Sequence, residues 1–262
     1  MTPLHLQFTD PLMVFLKKRR HNSPIFCALN RKTTIKDIIE SYGVPHTEVG
    51  QIMADGVAMN FDWYPENNHT IKISHIVPPF DVYRPSLLRQ TPIGAIKFIV
   101  DVNVGRLAQL LRLIGMDTAY IPEALDAEIA DKAARERRIV LTKDVGLLKR
   151  KCIVFGKFVR AIHPEEQLKE VVDFFGLQGP FSPFSRCLLC NGPIADVAKE
   201  TVIHRLEPKT ILYYHTFRRC QVCGQIYWRG SHYDRLASLL MDISRDFVHN
   251  LPSPPVDDDG GA

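Results

Sequence analysis

Two Cys-x-x-Cys pairs, Cys187-Leu-Leu-Cys190 and Cys220-Gln-Val-Cys223, restrict what this 262-residue chain can fold into more than any other feature. Each pair can turn two thiolates to one side of a tight knuckle, and two knuckles together complete the tetrahedral shell of a Zn²⁺ ion. Four thiolates leave no open coordination position, so the expected ion is structural; a redox dithiol is the alternative. The 29 residues between the pairs exceed the commonest ribbon spacing. The runs "CLLCNGPI" and "CQVCGQIYW" nevertheless each read as a turn followed by a strand, and the spacer is long enough to hold an extra hairpin. His204, His215 and His232 would serve as ligands only if one knuckle failed. Cys27 and Cys152 stand alone in apolar strand-like runs and read as buried hydrophobes, which argues against a disulfide framework.

The first 77 residues have a different grammar. "LHLQF" alternates as a strand does, "PIFCAL" continues as a second strand, and "TTIKDIIESYG" reads as a helix. Thr34 is its N-cap, Asp37 lies three residues on, and Gly43 is the stop. "QIMADGVAMNF" is a hairpin turning at Asp55-Gly56, and "TIKISHI" is the last strand. This order is that of a β-grasp, and the segment resembles the ubiquitin-like sulfur-carrier family. Such carriers act through a Gly-Gly directly after the last strand, whereas here that strand runs into "VPPFDVYRP". A structural or docking role, with a protein partner, is therefore the expectation for this segment. Residues 78–94 contain Pro78, Pro79, Pro85 and Pro92 and read as a linker.

From Ala95 strands and helices alternate: "IKFIVD", "VGRLAQLLRLIG", "TAYI", "DAEIADKAARER", "RIVLTKD", "GLLKRK", "CIVF" and a helix near "EEQLKEVVDFF". A βαβαβα order predicts a mostly parallel sheet flanked by helices, with ligands at the carboxyl ends of its strands. Asp101 ends the first of these strands, Asp144 follows "RIVLTK", and Asp126 opens the helix after "TAYI". All three are expected on one edge of the sheet. Asp117 is expected on the opposite edge and ranks lower; Glu128, one turn into its helix, is an additional candidate. Each of the three is also a natural helix cap. Clustered carboxylates repel one another unless a cation joins them, and an all-oxygen set suits Mg²⁺ or Mn²⁺. Such ions activate water against phosphodiesters, so the chemistry expected is that of a nuclease.

Thr142 and Asn103 are neutral neighbours able to orient these acids. Arg106 and Lys143 are placed to contact phosphates. Arg106, Gln109 and Arg112 form a polar stripe on an apolar helix, and Arg112 reads as part of a solvated face. The "RERR" run, Arg135 to Arg138, reads as surface charge at the far end of its helix.

These residues carry a resemblance. "FIVDVNVGRLAQLLRLIGMDTAYI" and "DAEIADKAARERRIVLTKD" resemble PIN-like nucleases, and specifically the Mut-seven C-terminal ribonuclease family. With "SRCLLCNGPI" and "CGQIYWRGSHYDRL" the resemblance spans residues 96 to about 240. It implies a PIN-like sheet in residues 95–178 and a zinc ribbon in 179–250. It also implies that Asp101, Asp126 and Asp144 are the metal-binding acids of an RNA-cleaving site. Many PIN domains carry a further acid shortly after the last one; "DVGLL" offers none. The rival expectation is a non-catalytic RNA-binding or adaptor protein that keeps the PIN fold. In the ribbon, Arg218, Arg219 and Arg229 interleave with Tyr227 and Trp228, a composition suited to single-stranded RNA, although a small zinc domain also needs aromatics for its core.

No run approaches the roughly 18 apolar residues of a membrane span, and the early positive charges follow the apolar residues rather than precede them, unlike a signal peptide. A cytoplasmic location is the expectation. Residues 251–262, "PSPPVDDDGGA" with the leucine before it, read as a disordered tail; Gly260-Gly261 lies there and reads as solvated tail rather than a carrier terminus.

Overall fold

The computed structural model describes residues 3–16, 25–29, 31–178 and 181–230. Residues 231–250 of the expected ribbon segment, His232 among them, and the expected disordered tail 251–262 lie outside the described residues. The chain divides into two units: Met1–Ala108 with Thr118–Leu177, and Gln109–Asp117 with Gln178–Ala262.

In the first unit, alternation decides the opening strand. Leu4, Leu6 and Phe8 of β1 (Leu4–Phe8) are buried, while His5 and Gln7 between them are half-buried. There follow α1 (Asp10–Met13), β2 (Ile25–Cys27), α2 (Ile35–Ser41), β3 (Val49–Ala54), β4 (Val57–Ala58) and β5 (Thr70–His75). Among the described residues they make a five-stranded sheet in the order β2-β1-β5-β3-β4, with β1 and β5 parallel at its centre. This is the β-grasp arrangement. The Thr34 hydroxyl accepts a hydrogen bond from the Asp37 amide (3.2 Å) and so caps α2. Asp55 and Gly56 both adopt positive φ (47° and 85°), the requirement of a tight hairpin turn.

The same unit holds β6 (Phe98–Val100), the first turn of α3 (Gly105–Leu113), whose remainder belongs to the second unit, then β7 (Thr118–Tyr120), α4 (Asp126–Glu136), β8 (Ile139–Thr142), α5 (Val145–Leu148), β9 (Gly156–Phe158) and α6 (Pro164–Phe175). The sheet is fully parallel, in the order β7-β6-β8-β9, and helices flank it. All three residues of β6 and all four of β8 are buried, as central parallel strands require. One expected strand is displaced: "CIVF" is not a strand, and pairing with β8 begins at Gly156. Ile153 reaches the core from a turn, and Cys152 is exposed rather than a buried hydrophobe. Glycine at 156 permits close packing, since a Cβ there would lie 2.6 Å from Leu148 Cδ2 and force that side chain to move.

The β-grasp residues cover the free edge of that parallel sheet. Glu48, at the end of the 3-10 turn His46–Glu48, accepts a hydrogen bond from the backbone N–H of Phe158 in β9 (2.7 Å). Its other oxygen accepts from Arg160 Nη2 (3.0 Å) and lies 3.8 Å from Lys157 Nζ, which also pairs with Glu170 at 3.1 Å. Burial pushes the Lys157 ammonium down and the two glutamates oppose that shift. The proline-rich residues 78–94 are fastened to the same region. Buried Arg89 donates to the carbonyls of Val49 (3.0 Å), Thr47 (2.9 Å), His46 (3.2 Å) and Val154 (3.3 Å). Burial lowers its guanidinium to about 10 against the opposing charge of Glu48.

The second unit contains β10 (Ile194–Val197), α7 (Pro208–Tyr213), β11 (Phe217–Cys220) and β12 (Ile226–Trp228), with an antiparallel sheet in the order β10-β11-β12. The spacer between the cysteine pairs holds β10, two 3-10 turns and α7 in place of an extra hairpin. Val202, Phe217 and Ile226 form its small core, with Leu206 and Tyr214 packed against it. No helix among the described residues is long and apolar enough to cross a membrane.

Candidate active site and candidate metal centre

Parallel register builds the acidic edge. Val100 is level with Tyr120 of β7 and with Leu141 of β8, so the next residues, Asp101, Ile121 and Thr142, leave three neighbouring strand ends together. The ladder continues one step further, because the Asp101 amide donates to Leu141 O (3.1 Å). Asp101 then turns the chain. Its Oδ1 accepts from the Val102 amide (2.6 Å), and its Oδ2 accepts from Asn103 Nδ2 (2.6 Å) and from the Thr142 hydroxyl (2.7 Å). It is a buried carboxylate satisfied by three neutral donors, and no ion pair among the described residues compensates its charge. Buried charges are ordinarily paired or bound to metal, which sets Asp101 apart from a simple cap.

Thr142 is the hinge pin between the two strand ends. Its hydroxyl donates to Asp101 and accepts from the Asp144 amide (2.8 Å), so one oxygen orients both acids. Asn103 completes the frame by accepting from the Lys143 amide (3.0 Å). Asp144 itself caps α5: its Oδ1 accepts from the amides of Gly146 and Leu147. Asp126 is the first residue of α4, while Leu125 holds the N-cap position. Among the described residues no hydrogen bond or ion pair holds the Asp126 carboxylate. Glu128 turns back to accept from the Leu125 amide (2.8 Å) and is committed to that cap. Asp117 precedes β7, at the end away from this edge, and accepts from Asn191 Nδ2 (2.8 Å), with Arg186 3.8 Å away.

The acids are arrayed but not gathered. Among the described residues the four cysteines are the one group of three or more His, Cys, Asp or Glu whose ligand atoms all lie within 4.8 Å of one another. The edge offers hard oxygen donors from Asp101, Asp126 and Asp144, a set that fits a divalent ion retaining several of its waters better than a dehydrated cage. Arg106, in the first turn of α3, is exposed, and Lys143 is half-buried beside Thr142. One residue absent from the sequence reading also stands here. The Tyr120 hydroxyl lies 2.7 Å from where a Cβ on Gly105 would be, so a larger residue there would displace this ring from the start of α3.

The thiolate centre is gathered already. Cys187 Sγ lies 3.5 Å from Cys223 Sγ, and Cys190 Sγ 3.4 Å from Cys220 Sγ. A tetrahedron with Zn–S bonds of about 2.3 Å has S–S edges of about 3.8 Å, so the four donors fit zinc and can hold it. Burial raises the Cys220 thiol, but the amides of Cys223 and Val222 outweigh it and bring the group to about 7. The Tyr227 hydroxyl contacts Cys187 Sγ (3.0 Å) and accepts from the Leu188 amide (3.1 Å). Burial, then the Cys187 thiol, push that phenol well above its ordinary value, and its hydroxyl is placed against the cysteine cluster. Arg112 corrects the solvated-face expectation. It is 3% exposed, and Nη1 donates to the carbonyls of Leu188 (2.8 Å) and Leu189 (2.9 Å), the two residues inside the first knuckle. A guanidinium fixed there opposes the charge of the thiolates, and periodicity alone gave no sign of it. His204 and His215 remain exposed.

Comparison with known families gives two matches. A family model described as the Mut7-C RNAse domain matches residues 96–240, and one described as Mut7-C ubiquitin matches residues 1–80. Comparisons with curated proteins and with solved structures each find no match.

Proposed function

The chain belongs to the Mut7-C RNAse domain family, and from that premise we propose that it is a divalent-metal-dependent ribonuclease that hydrolyses phosphodiester bonds within single-stranded RNA. The observation that carries the proposal is Asp101: a buried carboxylate at a strand's carboxyl end, oriented by Val102, Asn103 and Thr142 and lacking a compensating cation among the described residues. Asp101, Asp126 and Asp144 would hold Mg²⁺ or Mn²⁺, which when bound polarises a phosphodiester and lowers the pKa of its water. The protein's own part is placement. Thr142 keeps Asp101 and the Asp144 backbone in one frame, and Arg106 and Lys143 receive the phosphates that flank the scissile bond. The ribbon, with zinc at Cys187, Cys190, Cys220 and Cys223, contributes to holding the strand.

The organisation we propose is a β-grasp in residues 1–77, a linker in 78–94, a nuclease domain in 95–178, a ribbon in 179–250 and a tail in 251–262, acting in the cytoplasm. The β-grasp is also proposed as the surface for a protein partner. A second reading, a non-catalytic RNA-binding or adaptor protein, is favoured by one observation: Asp144 Oδ1 and Glu128 are spent on helix caps. A cleavage assay on single-stranded and structured RNA with Mg²⁺, Mn²⁺ or chelator separates the two. Cleavage that needs the ion and vanishes in Asp101→Asn and Asp144→Asn supports the ribonuclease; metal-loaded protein that cleaves equally well with both substitutions refutes it.

A further inference from the structure

Among the described residues of 95–178, the large apolar side chains left exposed are Val102, Ile121, Leu125, Val154 and Ile162. All but Val154 lie in connections that leave the carboxyl end of a strand: Val102 after β6, Ile121 and Leu125 between β7 and α4, Ile162 between β9 and α6. Exposed aliphatics concentrated on one edge mark a surface that something else covers. Three of them belong to neighbouring connections. The parallel register sets Ile121 level with Asp101 on the adjacent strand, Val102 follows Asp101 out of β6, and Leu125 closes the connection that Ile121 opens; they are 59% (Val102), 41% (Ile121) and 71% (Leu125) exposed.

The cations occupy the rest of the same row. Arg106 follows β6 and Lys143 follows β8, and neither has an ion-pair partner among the described residues. This is unlike the basic run at the far end of α4, where Lys132 and Arg138 pair with Glu136 (2.6 Å each) and Arg135 with Asp131 (2.8 Å). Aliphatic side chains and acids carried by the same strand-end connections, with uncompensated cations beside them, match a ligand that alternates apolar faces with anions. Single-stranded nucleic acid is such a polymer, and leucine and isoleucine pack against unstacked bases as apolar wedges.

We infer that Val102, Ile121 and Leu125 form a platform for one unpaired nucleobase of the RNA, next to the acidic edge, with the adjoining phosphate on Arg106 and Lys143. The inference rests on the ribonuclease reading for its choice of RNA. Contact with the face of a base rather than its hydrogen-bonding edge makes the platform tolerant of sequence and closed to paired bases.

The test uses the full chain and its double variant Ile121→Ser/Leu125→Ser. Both side chains are exposed, and serine at the N-cap position held by Leu125 favours α4, so the fold is retained. Fluorescence anisotropy without added Mg²⁺ or Mn²⁺ compares a short labelled oligouridylate with an abasic oligonucleotide of equal length. The expected result is an affinity for oligouridylate lowered about tenfold in the variant, with affinity for the abasic chain unchanged. Equal loss on both probes, no loss on either, or a parent protein that does not distinguish the probes overturns the platform. Cleavage of the same RNA with Mg²⁺ is measured in parallel. Absent cleavage with base-dependent binding counts against the ribonuclease alone, and cleavage without base-dependent loss counts against the platform alone.

Discussion

The thiolate centre and the acidic edge assemble ligands in opposite ways. Four sulfurs stand together, because two short knuckles fix them and a buried arginine and a half-buried tyrosine brace them. The acids come from three separate connections, and what joins Asp101 to the backbone of Lys143 and Asp144 is the Asn103 side chain and the Thr142 hydroxyl. A centre whose task is to hold the chain can be closed in advance. Carboxylates gathered without a cation repel each other, and at this edge the donors are oriented but kept apart.

That contrast can be broken at either end. The largest effect is expected from Cys220→Ser: zinc content falls from about one ion per chain, and the second unit loses a contribution on the order of 10 kcal/mol, read as lost protection from proteolysis in residues 178–230. Asp101→Asn is next. RNA cleavage drops at least about a hundredfold while zinc content is unchanged, which would show the two centres to be energetically separate. Thr142→Val removes the shared hydroxyl but no carboxylate, and a loss of about ten- to a hundredfold in cleavage is expected, measured beside the melting temperature. Arg112→Met is its counterpart at the sulfurs, weakening zinc retention against a competing chelator by about ten- to a hundredfold and leaving cleavage by zinc-loaded protein intact. The smallest effect belongs to Arg135→Ala, an exposed pair with Asp131, at under about 0.5 kcal/mol in chemical denaturation.

What could be read in the sequence follows from how local each signal is. Thr34 with Asp37, and Asp55 with Gly56, declare a cap and a turn within a few residues, and both are where expected. The cysteine pairs are as local. Asp101 and Asp144 could be found because each follows an apolar run, yet their connection through Thr142 depends on a strand register that no window of sequence contains. The strand β9 lies outside the apolar run for a similar reason. Gly156 and Lys157 are poor strand signals, and what holds them there is pairing to β8 and the distant Glu48. Arg112 was misread because helical spacing reports a polar stripe but not which carbonyls will later cover it.

Glu48 reaches from the β-grasp to the main chain of β9, and Lys157, Arg160 and Arg89 complete a polar seam that is mostly shut off from water. The consequence concerns portability. A nuclease segment cut loose at Ala95 would carry a bare sheet edge able to recruit another strand, and a buried ammonium deprived of one of its two counter-ions. The β-grasp therefore behaves less as an appended tag than as the margin of the parallel sheet, and the two are expected to fold and be expressed together.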